Sequence, residues 1–169
     1  MFTEVITEKQ IDIVEALAVD IWNEHYIPII GKPQVNYMLE KFQSKEAMIE
    51  QIKNGYTYYL VEEEGRNIGY IGIELKKGEL FLSKLYIMSS ERGKGYGKKA
   101  VQFLEDLARE KKLNKISLTV NKNNVNSIAV YEKMGFTNLG SIVMDIGGGF
   151  VMDDYKMEKI FFENQDSAK

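Results

Sequence analysis

The chain has 169 residues, 44% of them hydrophobic and 28% charged, and carries a formal net charge of −3. Such a length buries a substantial core without staples, and the mild acidic balance argues against general nucleic-acid binding, which needs a basic face. With no cysteine and one histidine, His25, the chain excludes disulfides, thiolate metal sites, a cysteine nucleophile and a multi-histidine metal centre, and disfavours a serine–histidine–acid triad.

The first residues show no basic segment followed by an apolar core and a cleavage site, and no apolar run nears the roughly 20 residues that cross a bilayer. The expectation is therefore a single cytoplasmic domain over 1–169 that binds no metal and touches no membrane. "FTEVI" reads as a first strand. From Thr7 onward Ile11, Val14, Leu17, Ala18, Ile21 and Trp22 recur at helical spacing. That helix should stop before "IPIIGKP", because Pro28 disfavours helical geometry in the residue ahead of it and Gly31 and Pro33 mark a turn. A second helical region, residues 34–55, is broken at Ser44, a plausible cap for a separate helix ending at Asn54-Gly55.

The period then changes to two. "YTYYLVEE", "IGYIGIEL" and "LFLSKLYIM" are strands joined by short turns, which predicts an antiparallel meander. After "RGKGYG" a helical face is formed by Ala100, Val101, Phe103, Leu104, Leu107 and Ala108. "ISLTV" is a compact buried strand, and "NNVNSIAVYEKMGF" is a short helix that Gly135 can end in a left-handed cap. Two last strands flank a "GGG" turn, and residues 163–169 form a polar tail expected to fray. The order βααβββαβαββ implies an α/β or α+β domain with a helix-covered central sheet and one parallel crossover.

The glycine loop carries the chemistry. A helix N-terminus offers unpaired N–H groups and about half a positive charge, and glycines ahead of it let the backbone approach a ligand. With Arg92, Lys94, Lys98 and Lys99 nearby, the loop suits an anion with several oxygens, such as a pyrophosphate. A Walker A loop would need Ser or Thr after its lysine, and Lys99 stands there; a dinucleotide fingerprint begun at Gly93 would need glycine where Lys98 stands. Both of these phosphate-loop signatures fail, leaving a simple tight turn as the bland alternative.

Two segments together resemble the GNAT superfamily of acyl-CoA-dependent N-acetyltransferases. Arg92-Gly-Lys-Gly95-Tyr-Gly97 matches its R/Q-x-x-G-x-G/A signature, and the run from Asn124 to Phe136 is similar to its N-x-x-[AS]-I-x-x-Y-E-K-x-G-F segment. The likeness covers residues 56–160 well and the first fifty mainly in element order. It implies a mixed, mostly antiparallel central sheet of about seven strands with helices on both faces. It implies acetyl-CoA as cofactor, with coenzyme A as product. Its pantetheine would pair with the backbone of Leu85, Tyr86 and Ile87 in a slot opened where the strand before the loop diverges from "ISLTV". Its diphosphate would lie on the amides of Arg92, Gly93, Lys94, Gly95, Tyr96, Gly97 and Lys98. Asn124 would bond the cofactor arm, and Lys133 could reach a phosphate or stay a solvated lysine. A backbone N–H near Leu85 would stabilise the developing oxyanion. Tyr131 resembles the family's general acid for the departing thiolate.

The acceptor must be a neutral amine, which calls for a base. Glu74 is the candidate, ahead of Glu79 and Glu24, and none of the three has a motif behind it. The resemblance places acceptor recognition at the first two helices and their loop, with His25, Tyr26 and Tyr37 as candidate contacts. "HYIPII" and "YMLEKFQS" are similar to the bacterial polyamine N-acetyltransferase branch, so a polyamine or other small amine is the expected partner. The alternatives are a protein N-terminus or lysine as acceptor, a non-catalytic acyl-CoA-binding module, and a nucleotide binder. An exposed last strand or the apolar "YIPII" loop could support a homodimer.

Overall fold

A computed structural model describes residues 1–161; the tail expected to fray lies outside the described residues. The chain divides into two compact units, Met1–Glu74 with Ser83–Gly97, and Leu75–Leu82 with the residues from Lys98 onward. The strand order is β1-β2-β3-β4-β5-β7-β6.

The first unit opens with β1 (Phe2–Glu4) and α1 (Glu8–His25). Thr7 caps α1 by accepting from the Gln10 N–H, while the Gln10 side chain returns to the Thr7 backbone, so two otherwise orphaned donors are satisfied. Ile11, Val14, Leu17, Ala18, Ile21 and Trp22 form its buried stripe, as their spacing predicts. The helix does end before Pro28. However, "IPII" is itself one helical turn, α2 (Ile27–Ile30), and α3 starts at Lys32 and runs to Phe42. Both prolines sit in the first turn of their helices, where a missing N–H costs nothing. The expected break at Ser44 is real: its hydroxyl accepts from the Ala47 N–H at 3.2 Å and starts α4 (Lys45–Lys53). The two helical regions read from sequence thus resolve into four helices.

The meander follows as β2 (Tyr56–Glu63), β3 (Arg66–Lys76) and β4 (Glu79–Ile87). β1 pairs antiparallel with β2, and β2 with β3 from Tyr56–Glu74 to Glu63–Arg66. Tyr58, Leu60, Tyr70, Ile71 and Ile73 are buried in this sheet. A short 3₁₀ turn, Ser89–Glu91, leads into the glycine loop.

α5 (Tyr96–Glu110), which enters the second unit at Lys98, buries Ala100, Val101, Leu104 and Ala108 on one stripe. The start of β4 pairs parallel with β5 (Lys115–Asn121) through Leu80–Ile116 and Phe81–Ser117. β5 pairs antiparallel with β7 (Phe150–Ile160), and β7 with β6 (Thr137–Gly147). Between them α6 (Val125–Lys133) ends at Gly135, whose φ of +98° is the left-handed cap expected from the sequence.

Candidate active site

In the first unit the loop after β4 is built to present donors. Gly93 and Gly95 have φ of +77° and +87°, conformations open to glycine and strained for other residues. Arg92 N–H donates back to Ser89 O at 3.3 Å. Among the described residues, the N–H groups of Gly93, Lys94, Gly95, Gly97 and Lys98 find no partner in the chain. A Cβ built on Gly93, Gly95 or Gly97 would meet nothing within 4 Å. Unspent donors, a helix N-terminus and open space fit a diphosphate.

The charges are arranged differently from the sequence expectation. The Lys94 ammonium turns toward Glu91, 2.9 Å away, and Arg66 reaches the same carboxylate at 3.1 Å. Glu91 is buried, and hydrogen bonding to Lys94 holds its carboxyl below the usual range. Its two cations lock the 3₁₀ turn that launches the loop, so Lys94 serves the loop's shape. Arg92 donates through Nε to Ile87 O at 3.1 Å and through Nη1 toward His25 Nδ1 at 3.3 Å. A guanidinium can only donate, so His25 Nδ1 accepts and a neutral ring carries its proton on Nε2.

Tyr86 and Tyr26, named for the cofactor and the acceptor respectively, meet in one aromatic cluster. Trp22 stacks on Tyr26 at 4.3 Å between centroids, and Tyr86 stands edge-on to Trp22 at 5.4 Å and to Tyr26 at 6.1 Å. His25 packs edge-on against Tyr26 at 4.7 Å. Tyr37 lies elsewhere on α3, where its hydroxyl accepts from Lys41 Nζ at 3.0 Å. Leu85 is half-buried and Ile87 buried on the last part of β4, beyond the two residue pairs of the β5 ladder.

The three candidate bases are already engaged. Glu24 accepts from Ser89 Oγ at 2.6 Å, and Glu79 lies 3.4 Å from Lys115. Glu74 faces Tyr56 across β2–β3 and hydrogen-bonds with its hydroxyl. Burial first, then the Glu74 charge, pushes the Tyr56 phenol up.

In the second unit Asn124 is buried at the N-cap of α6, and Tyr131 follows seven residues on, two turns along the same helix face. The Tyr131 ring stands edge-on to Phe136 at 5.4 Å. Lys133 is exposed in the last turn of α6. No sequence motif marks Asp154, a buried carboxyl on β7 opposite Asn121. Burial pushes it up to about 6, partly offset by a hydrogen bond from Thr119. Nor does a motif mark Lys84, buried on β4. The only sequence signal for either was a charged residue at an inward strand register.

These elements define an acyl-CoA-dependent N-acetyltransferase. The model of the acetyltransferase (GNAT) family matches residues 17–136, and the chain belongs to that family. It is 35% identical over 134 residues to a spermine/spermidine N(1)-acetyltransferase of Bacillus subtilis (strain 168), covering 73% of this chain and 84% of that one. A putative [ribosomal protein bS18]-alanine N-acetyltransferase of the same organism is 30% identical over 87 residues, 51% of this chain and 58% of its own. The fold matches the PaiA N-acetyltransferase from Thermoplasma acidophilum, crystallised with coenzyme A, at a TM-score of 0.78 and 20% identity, over 95% of this chain and 99% of that one. No helix among the described residues is long and apolar enough to cross a membrane.

Proposed function

We propose that this protein moves the acetyl group of acetyl-CoA onto a primary amine of a small polycation, of the spermine or spermidine class, by direct attack in a ternary complex. The unspent N–H groups at positions 93–95, 97 and 98 are the observation that carries the cofactor reading. At about 1.5–3 kcal/mol for each hydrogen bond to a charged group, four of them supply much of a micromolar affinity. The backbone of β4 over Leu85–Ile87 lies beyond the two residue pairs of the β5 ladder, and pantetheine amides would pair with it there. Acetyl-CoA supplies an activated thioester; the chain's own groups hold and orient it and move protons. Absence of cysteine supports direct attack, since no thioacyl-enzyme can form. The acceptor class rests on the relative with spermine and spermidine in its name and on the aromatic surface of Tyr26 and Tyr86.

A primary amine near pKa 10.4 is neutral only to about one part in 10³ at pH 7, so a base or water relay is required. Glu74, with Tyr56 beside it, remains the proposed base, and Asp154 has the raised proton affinity such a role needs. Tyr131 is proposed to donate to the departing thiolate. Handing over its proton is uphill by about 1.5 units, roughly 2 kcal/mol, whereas a hydrogen bond to the thiolate is not. Tyr131→Phe should therefore lower kcat about ten- to a hundredfold and leave measurable transfer. Wild-type turnover would show that the hydroxyl is dispensable.

Thermal shift separates the cofactor readings: acetyl-CoA should raise Tm by several degrees and ATP should not. Thiol release with spermine, spermidine, an aminoglycoside and an N-terminal alanine peptide then tests the acceptor. Stabilisation by acetyl-CoA with no thiol release from any amine would favour the non-catalytic module instead.

A further inference from the structure

Lys84 is buried, with 6% of its surface exposed, yet among the described residues no carboxylate pairs with it. Its Nζ donates to Phe42 O at 2.6 Å, to Gln51 Oε1 at 2.9 Å, and to the Tyr58 hydroxyl. Tyr58 in turn donates to Gln51 Oε1, and Gln51 Nε2 donates to Phe42 O at 3.0 Å, closing a ring of four residues. The ring joins α3, α4, β2 and β4. Gly72 on β3 makes room for it: a Cβ there would sit 3.2 Å from the Tyr58 ring and 3.4 Å from the Lys84 stem. Phe42 is the last residue of α3, so its carbonyl belongs to the negative end of that helix, a favourable seat for an ammonium. One residue on, Gln43 accepts from Tyr70 at 2.9 Å, so the α3–α4 corner is fastened to β3 as well.

We propose that Lys84 is a positioning residue for acetyl transfer, pinning the α3–α4 corner onto β4 one residue before Leu85 through a network that stays hydrogen-bonded with or without the amine's proton. The charged amine donates three bonds, to Phe42, Gln51 and Tyr58. When neutral it keeps two, to Phe42 and Gln51, and its lone pair accepts from Tyr58, whose hydroxyl swings from Gln51 to Nζ. No buried atom is orphaned in either state. The corner on the acceptor side and the strand on the cofactor side thus share one titrating joint. Burial sets the amine at about 7, while the acceptors around it favour its charge. The titratable groups around the joint are Tyr58 and Tyr70, both pushed up by burial, and Tyr56 beside Tyr58 with Glu74.

This inference rests on the reading of Leu85–Ile87 as the cofactor edge, and the test separates the two. Protein carrying carbon-13 at the lysine ε position should show one lysine titrating near pH 7, absent in Lys84→Met. Saturating acetyl-CoA should move that midpoint by about half a unit. An unmoved midpoint, in protein that binds acetyl-CoA, overturns the proposal and leaves the transferase reading intact; no stabilisation by acetyl-CoA sinks that reading first and this one with it. With spermine as acceptor, Lys84→Met should lose about tenfold in kcat and keep KM for acetyl-CoA within about twofold. Because the amine binds its proton less tightly when folded, wild-type stability should rise with pH from about 7 toward 10.5, up to about tenfold per unit in the unfolding constant, and Lys84→Met should lack that rise. If Lys84→Met does not fold, Tyr58→Phe serves: it leaves the ammonium one acceptor short, so the midpoint should fall by about a unit. An unchanged midpoint in that variant overturns the proposal.

Discussion

Gly97→Asp should abolish useful acetyl-CoA binding while leaving the free protein as stable as before. Position 97 is in the first turn of α5, its φ is not left-handed, and a Cβ there meets nothing within 4 Å. An aspartate in a first turn interacts favourably with the helix dipole, so the free fold loses nothing and gains a few tenths of a kcal/mol. The same carboxylate would stand at the helix N-terminus beside the unspent N–H groups of Gly95, Gly97 and Lys98. Repulsion of a diphosphate and occupation of those donors should together cost about 3 kcal/mol, or roughly a hundredfold in Kd. Calorimetric titration with coenzyme A, beside a melting curve of the free variant, reads both quantities. Wild-type affinity in a stably folded variant would mean that the diphosphate lies elsewhere. A ruined melting curve would mean that the loop is structural after all.

Gly69→Ala should fail in the opposite way, at the level of folding. Gly69 lies on β3 with an ordinary φ, so backbone freedom is not what it provides. It provides space. A Cβ would collide with Tyr86 O and lie 3.2 Å from Ile87 Cα, both of them backbone atoms that no rotamer change can move. Overpacking of this kind costs about 1–3 kcal/mol, and more where the obstacle is main chain. β4 must shift at Tyr86 and Ile87, the edge proposed for pantetheine. The variant is expected to lose several degrees of Tm and to bind acetyl-CoA poorly even below its transition. Gly72→Ala is the fitting control, since its Cβ meets only side-chain atoms of Tyr58 and Lys84, which can give slightly. Equal melting temperatures for wild type and Gly69→Ala would show that β3 and β4 are looser here than drawn.

The two glycines illustrate how unevenly the site was written into the chain. Gly93, Gly95 and Gly97 stand next to a helix pattern, so the sequence announces a loop, and the amides prove to be unspent as that loop requires. Gly69 sits inside a strand pattern and announces nothing, because the backbone it accommodates lies 17 residues away at Tyr86. Acids and bases follow the same division. Glu74, put ahead of Glu79 and Glu24, had no more of a motif behind it than they did, and only folding assigns the three Tyr56, Lys115 and Ser89 as partners.

From the sequence alone came whatever depends on a few neighbouring residues: the helix start at Thr7, the cap at Ser44, the left-handed Gly135, the strand period, the glycine loop and the Asn124–Tyr131 spacing. Hydrogen bonds of three or four residues' reach and side-chain alternation are local, and their signals sit in short words. Tertiary structure alone decided which charges remain for a ligand. It turned Lys94 onto Glu91, enclosed Lys84 against a helix end 42 residues earlier, and buried Asp154 beside Thr119. Burial and pairing are set by contacts between distant segments. The price of removing a charge from water is therefore settled only when those segments meet.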